Sequence, residues 1–229
     1  MKLRFLSHPL RAALALLAFL RAQGLPSEVA RIAVDARRVA VADSSRCDIE
    51  RIKATANGVE FDCLEKALPF VPAQEAQAAL ALKIDGLADG RYSLAIDGQT
   101  VGEYPAADLA RGISLAENAK TPQYKQSATA TKLSYDRAHA AVALRNVNAQ
   151  YYTLSRARID LSDRSAVEKK LTALIEEAKA KAARIDPAME TLLKNPDEPA
   201  AREASFKAAT DALIKACQPQ PHHFMVTRQ

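Results

Sequence analysis

All seven glycines of the chain lie between Gly24 and Gly112, and the residues beyond Gly112 are rich in Ala, Lys, Glu and Leu. Glycine lets a chain turn sharply at low steric cost, whereas the second composition is that of strong helix formers. A strand-and-turn region is therefore followed by a helical one, and the fold class is α+β. With 48% apolar residues in 229, the chain has the composition to bury a core, and disorder is not the default reading.

The first region reads as short strands at 29–34, 38–42, 47–54, 59–64, 79–84, 91–96 and 100–104, within a module spanning 27–120. Val59, Phe61 and Cys63 share one face and Glu60 and Asp62 the other, the pattern of a strand with one wet side. A small antiparallel β-sandwich-like module or half-barrel follows from these strands. Asp97-Gly98 supplies the two positive φ angles of a tight hairpin and places Leu94 opposite Val101. Asn57-Gly58 suggests a second hairpin, whose register puts Cys63 opposite Ile52 and Cys47 opposite Leu68. A Cys47–Cys63 disulfide then requires the strands to bend. Residues 106–111 read as one helical turn stopped by Gly112.

From Thr121 the apolar period lengthens, with Thr121 as N-cap and Pro122 at the first helical position. Ala140, Leu144, Val147, Tyr151 and Leu154 form one stripe. Val167, Leu171, Leu174, Ala178 and Ile185 form a second, after the break at 160–163. Phe206, Ala209, Leu213 and Cys217 form a third, after the break at 195–199. Residues 121–217 are thus expected to pack as a long helical hairpin or three-helix bundle. Pro219 and Pro221 exclude helix from the tail, 218–229, which is expected to be extended.

The net charge of +5 comes from basic residues interspersed with acids, as in Glu176-Glu177-Ala178-Lys179, and describes a solvated helix face. Without tryptophan, and with few other aromatics for stacking, the chain does not read as a nucleic-acid binder. Cys47, Cys63 and Cys217 show no metal-ligand spacing. No phosphate loop or nucleotide fingerprint is present, so no cofactor is expected. At the amino terminus, Lys2, Arg4 and Arg11 flank an apolar run at 12–20, too short to span a bilayer. Segment 1–26 permits two readings: a secretory signal with bulky Leu20 and charged Arg21 near the cleavage point, or an apolar helix closed by Gly24 and Pro26.

Residues 82–104 spell Leu-Lys-Ile-Asp-Gly-Leu-Ala-Asp-Gly-Arg-Tyr-Ser-Leu-Ala-Ile-Asp-Gly-Gln-Thr-Val-Gly-Glu-Tyr, followed at 105–115 by Pro-Ala-Ala-Asp-Leu-Ala-Arg-Gly-Ile-Ser-Leu. Residues 18–26 spell Ala-Phe-Leu-Arg-Ala-Gln-Gly-Leu-Pro, and Phe5-Leu6-Ser7-His8-Pro9 stands before them. This wording resembles the carboxy-terminal part of bacterial SGNH (GDSL-type) hydrolases, over about residues 8–226. The resemblance implies that 1–26 is the last helix of a catalytic domain and that His8 stands in the place of the catalytic base. Phe5 stands where the family has the aspartate of its Asp-x-x-His block. The family's Gly-Asp-Ser block is absent from the sequence, as are its Gly and Asn blocks.

The implied reading is a truncated or divergent hydrolase-family protein without esterase activity alone. Its partners would be a second copy of itself or an upstream hydrolase domain. Two alternatives stand beside it: an exported scaffold or binding module, and a hydrolase subunit completed by a partner chain carrying the missing blocks. Family resemblance and the signal-like terminus lean toward an extracytoplasmic location.

Other candidates for chemistry are sparse. Asp43-Ser44 lacks the preceding glycine and follows His8 in the wrong order for a nucleophile. His222 and His223 are adjacent and therefore point apart, with no third metal ligand in view. His139 sits between alanines on a helix, and Glu176-Glu177 lies on a solvent face.

Overall fold

The computed structural model describes residues 28–69, 79–195 and 197–229, so segment 1–26 and His8 lie outside the described residues. The chain divides into a β unit, made of residues up to Ser127 together with Pro219–Gln229, and a helical unit, Ala128–Gln218. No described helix is long and apolar enough to cross a membrane.

Nine strands are described in the β unit: β1 Glu28–Asp35, β2 Ala40–Ser45, β3 Cys47–Thr55, β4 Gly58–Glu65, β5 Ala79–Asp85, β6 Arg91–Ile96, β7 Gln99–Pro105, β8 Ile113–Ser114 and β9 Pro221–Arg228. They form a four-stranded sheet, ordered β2-β1-β5-β8, and a five-stranded sheet, ordered β3-β4-β9-β6-β7. The module departs from the expected antiparallel one, because β1 and β5 pair in parallel. Its cause is in the burial: Val29, Ala30, Ile32, Ala33 and Val34 are all buried, the near-continuous apolar run of a strand covered on both faces. A hydrophobic cluster draws Ile32, Leu80 and Leu82 from the first sheet and Phe61, Leu94 and Phe224 from the second. Each such side chain contributes about 1.5–3 kcal/mol by leaving water. A short helix, α1 (Ala106–Arg111), ends at Gly112 and adds Leu109 to that cluster.

Two hairpin registers differ from the sequence reading. Asp97 and Gly98 do turn the chain with φ of 51° and 77°, but a bulge between Leu94 and Ala95 sets Leu94 opposite Gly102 instead of Val101. The β3–β4 turn uses Ala56 and Asn57, so Thr55 faces Gly58. A further bulge at Arg51, φ 52°, sets Cys47 opposite Glu65 and Cys63 opposite Ile49. Gly58 is left in the strand, where β9 passes close to it.

Four helices follow: α2 Pro122–Arg156, α3 Arg164–Ala180, α4 Pro187–Lys194 and α5 Glu198–Ala216. Thr121 Oγ1 accepts from Tyr124 N (3.2 Å), so α2 starts where the cap signal predicts. At 35 residues it is about 52 Å long. In the helical unit Val147 and Leu154 of α2 pack with Leu171 of α3 and Leu192 of α4, and Tyr151, Val167 and Met189 flank them. Ile175, absent from the predicted stripe, is buried. The third stripe is weaker than expected: Phe206 and Leu213 are half-buried and Cys217 is exposed. Arg137 of α2 lies 5.0 Å from the Phe206 ring centroid and donates to Thr210 Oγ1 (3.2 Å), which ties α5 to α2.

The lack of glycine has a structural cost at two helix ends. After α2, Ile159 N reaches Leu154 O (3.1 Å) and Arg158 N reaches Ser155 O (2.9 Å), with Arg158 at φ 57°. After α3, Ala183 N reaches Ala178 O (2.9 Å) and Ala182 N reaches Lys179 O (3.0 Å), with Ala182 at φ 49°. Both are Schellman endings, whose left-handed position favours glycine. Arg158→Gly and Ala182→Gly should each stabilise the helical unit by about 1 kcal/mol, offset in part by the freer unfolded chain. Thermal melts of the full chain check this, and a lowered melting temperature would contradict it.

Candidate functional site

The pleat of β9 points successive side chains to opposite faces. His222 therefore turns inward, 8% exposed, while His223 turns outward. Each meets a different aspartate. His222 Nδ1 bonds Asp97 Oδ2 at 2.7 Å, and Asp97 Oδ1 accepts His223 N at 2.8 Å. The β6–β7 turn that sequence alone locates is thereby clamped to β9. On the outer face His223 Nδ1 bonds Asp62 Oδ1 at 2.7 Å, and Arg51, presented by the bulge, pairs with the same carboxylate. Burial opposes ionisation of Asp62, but the His223 and Arg51 bonds outweigh it and hold its carboxyl below the usual range.

On the inner face the register gathers Cys47, Cys63, Glu65 and His222 at one end of the sheet. Cys47 Sγ donates to Arg31 O (3.0 Å), and the neighbouring Cys47 thiol and burial together push the Cys63 thiol up. The register sets the two cysteines opposite other residues, and both are free thiols. Glu65, 5% exposed, accepts from Gln123 Nε2 at 2.7 Å. Burial pushes its carboxyl above the usual range, against bonds from its own backbone and Gln123 and the charge of His222.

Cys63 faces His222 across the β4–β9 pair, and Asp97 orients that histidine, an order of residues reminiscent of a nucleophile–base–orienter triad. The environment argues against that chemistry. A reactive thiol needs a lowered pKa and access, whereas the hydrogen bond with Cys47 and burial push Cys63 up, and it is 1% exposed. The adjoining cleft, about 140 Å³ and lined in part by Asp48, Glu50, Arg51 and Asp62, is smaller than the several hundred cubic ångströms of usual ligand sites.

The chain is similar to a gut microbial diltiazem-metabolizing enzyme. That solved structure matches 94% of this chain at 25% sequence identity with a TM-score of 0.70, and the match covers 53% of the other chain. The chain therefore spans about half the length of that enzyme. No family model matches the chain, and no curated protein matches it.

Of the residues singled out from sequence, Ser44 is exposed on β2, and its neighbour Asp43 is paired with Arg31 at 2.8 Å. His139 is exposed on α2. Glu176 and Glu177 pair with Lys179 (2.8 Å) and Lys181 (2.6 Å) on the solvent face. Sequence reads Asp97 only as a turn residue and Asp62 only as one of a wet strand face, and gives Glu65 and Gln123 no role. Glu65 carried one signal: it continues the buried phase of Val59, Phe61 and Cys63.

Proposed function

We propose that the chain is the accessory part of an SGNH-type hydrolase architecture, a β unit and a helical unit that stand beside a catalytic domain, and that it does not hydrolyse esters alone. The observation that carries this reading is the likeness of 94% of the chain to about half of an enzyme, joined to the lack of a Gly-Asp-Ser block in the sequence. Acyl transfer needs a nucleophile, a base within hydrogen-bond reach and donors for the oxyanion. The described residues offer oriented histidines but no activated nucleophile beside them. Purified chain should turn over short acyl esters no faster than buffer. Turnover abolished by a serine-reactive phosphonate would overturn the proposal.

A second reading is supported by the half of the neighbour that the likeness leaves uncovered: a partner chain supplies the Gly-Asp-Ser, Gly and Asn blocks. Mixing with such a chain should then restore hydrolysis that His8→Ala removes. With Phe5 in the place of the orienting aspartate, even that activity should be low, since loss of the orienting carboxylate alone costs about 10⁴ in rate in the serine-protease template.

A further inference from the structure

Among the buried side-chain polar atoms of the described residues, Glu65 Oε2 and Gln123 Oε1 have no hydrogen-bond partner. They belong to two groups that already touch, through Gln123 Nε2 donating to Glu65 Oε1 at 2.7 Å. Glu65 is 5% exposed and Gln123 2%, so water does not readily serve either orphan. Two adjacent acceptors without a donor are costly in a buried site. A single proton removes both defects at once.

We infer that Glu65 is held as the neutral acid, its Oε2–H donating to Gln123 Oε1, so that the two side chains close a two-bond acid–amide ring. That ring clasps the first turn of α2 onto the end of β4, and it opens when Glu65 ionises. The surrounding groups are consistent with the neutral form. Cys63 lies two residues back on the same strand and face, Cys47 stands opposite on β3 with Asp48 beside it, and Asp97 from the β6–β7 turn adds negative charge nearby. Opposing it are the bonds from the backbone of Glu65 and from Gln123 and, more weakly, the charge of His222 of β9, all of which favour the carboxylate. Burial is the largest influence on Glu65, and it acts in the neutral direction.

The consequence for stability has a definite sign. A carboxyl whose folded pKa is raised contributes stability in full below its unfolded value, and loses it as pH rises through the folded value. The β unit should therefore weaken above about pH 4.5, the ordinary glutamate value. Glu65→Gln supplies an amide in place of the acid, with the second donor built in and nothing to titrate.

The test is the melting temperature of the full chain as a function of pH, for the natural sequence and for E65Q. The natural chain should lose at least about 3 °C as pH rises past the folded value, the shift that a kilocalorie-scale loss produces in a chain of this size. E65Q should remove that loss and melt higher than the natural chain at alkaline pH. The same pH slope in both, or an E65Q chain that is less stable throughout, would overturn the inference. NMR titration of the Glu65 side-chain carboxyl gives a reading independent of any variant: a midpoint above the ordinary glutamate value supports it, and a midpoint at or below that value sinks it. Because neither measurement involves ester turnover, failure here is separable from failure of the accessory-domain proposal.

Discussion

A chain ending at Gln220 is expected to lose the cooperative unfolding transition of its β unit. Strand β9 lies between β4 and β6, so without it the five-stranded sheet falls into two hairpins, β3–β4 and β6–β7. Hairpins alone are marginal in water, and the bare edges invite association. The lost strand also carries Phe224 and Val226, both 0% exposed. Phe224 faces Phe61 on one side and Ile96 on the other, and its ring stacks on Phe61 at 5.0 Å and 7°. Removing the two side chains forfeits about 3–6 kcal/mol of burial, before any lost ladder bonds are counted, against a usual total of about 5–15 kcal/mol. Near-UV circular dichroism and thermal melts read the result, and a truncated chain melting like the full one would refute it. The milder Phe224→Ala should cost about 3–5 kcal/mol.

That strand marks where local pattern stops being informative. Pro219 and Pro221 exclude helix, and the tail is extended from Pro221 onward. Nothing in the tail itself says that it inserts between strands about 125 and 160 residues earlier in the chain, because those pairings depend on which edges remain open once the other strands have met. The seven strands read from alternation and turn residues are all present, whereas the two-residue β8 is too short to leave a periodic signal. The parallel β1–β5 pairing departs from the antiparallel module for a different reason: the apolar run of β1 is nearly unbroken, which is the pattern of a strand with both faces covered.

The site was less legible than the fold. Adjacent histidines were correctly read as pointing apart, but their aspartate partners come from β4 and from the β6–β7 turn, so no spacing in the sequence joins them. Cys47 and Cys63 were assigned the wrong opposite residues because the turn lies one residue earlier than Asn57-Gly58 suggests, and Arg51 adds a bulge. A non-glycine residue at positive φ leaves no compositional mark, so that bulge was invisible. Glu65 is the instructive case: its place in the buried phase of β4 was readable, but its partner Gln123, 58 residues away, was not.

The misplaced turn also explains what Gly58 is for, and Gly58→Ala should destabilise the β unit by about 3 kcal/mol or more. An added Cβ at that position would stand 1.8 Å from Val226 O and 2.9 Å from Val226 C, which are backbone atoms that no rotamer change can move aside. Relief would require β4 and β9 to separate where Gly58 faces Thr227, next to the Val59–Val226 pair. It would also strain the bond from Arg228 N to Asn57 O at 2.8 Å, which closes the same end of the ladder. The absence of a side chain thus lets the last strand lie close enough for Val226 to be fully buried between β4 and β6. Gly98 is the useful control, because an added Cβ there meets nothing within 4 Å, and the cost of Gly98→Ala comes from its φ of 77° alone, about 1–2 kcal/mol. If denaturant melts show Gly58→Ala to be no more damaging than Gly98→Ala, the close passage of β9 over β4 is not what holds the C-terminal strand in place.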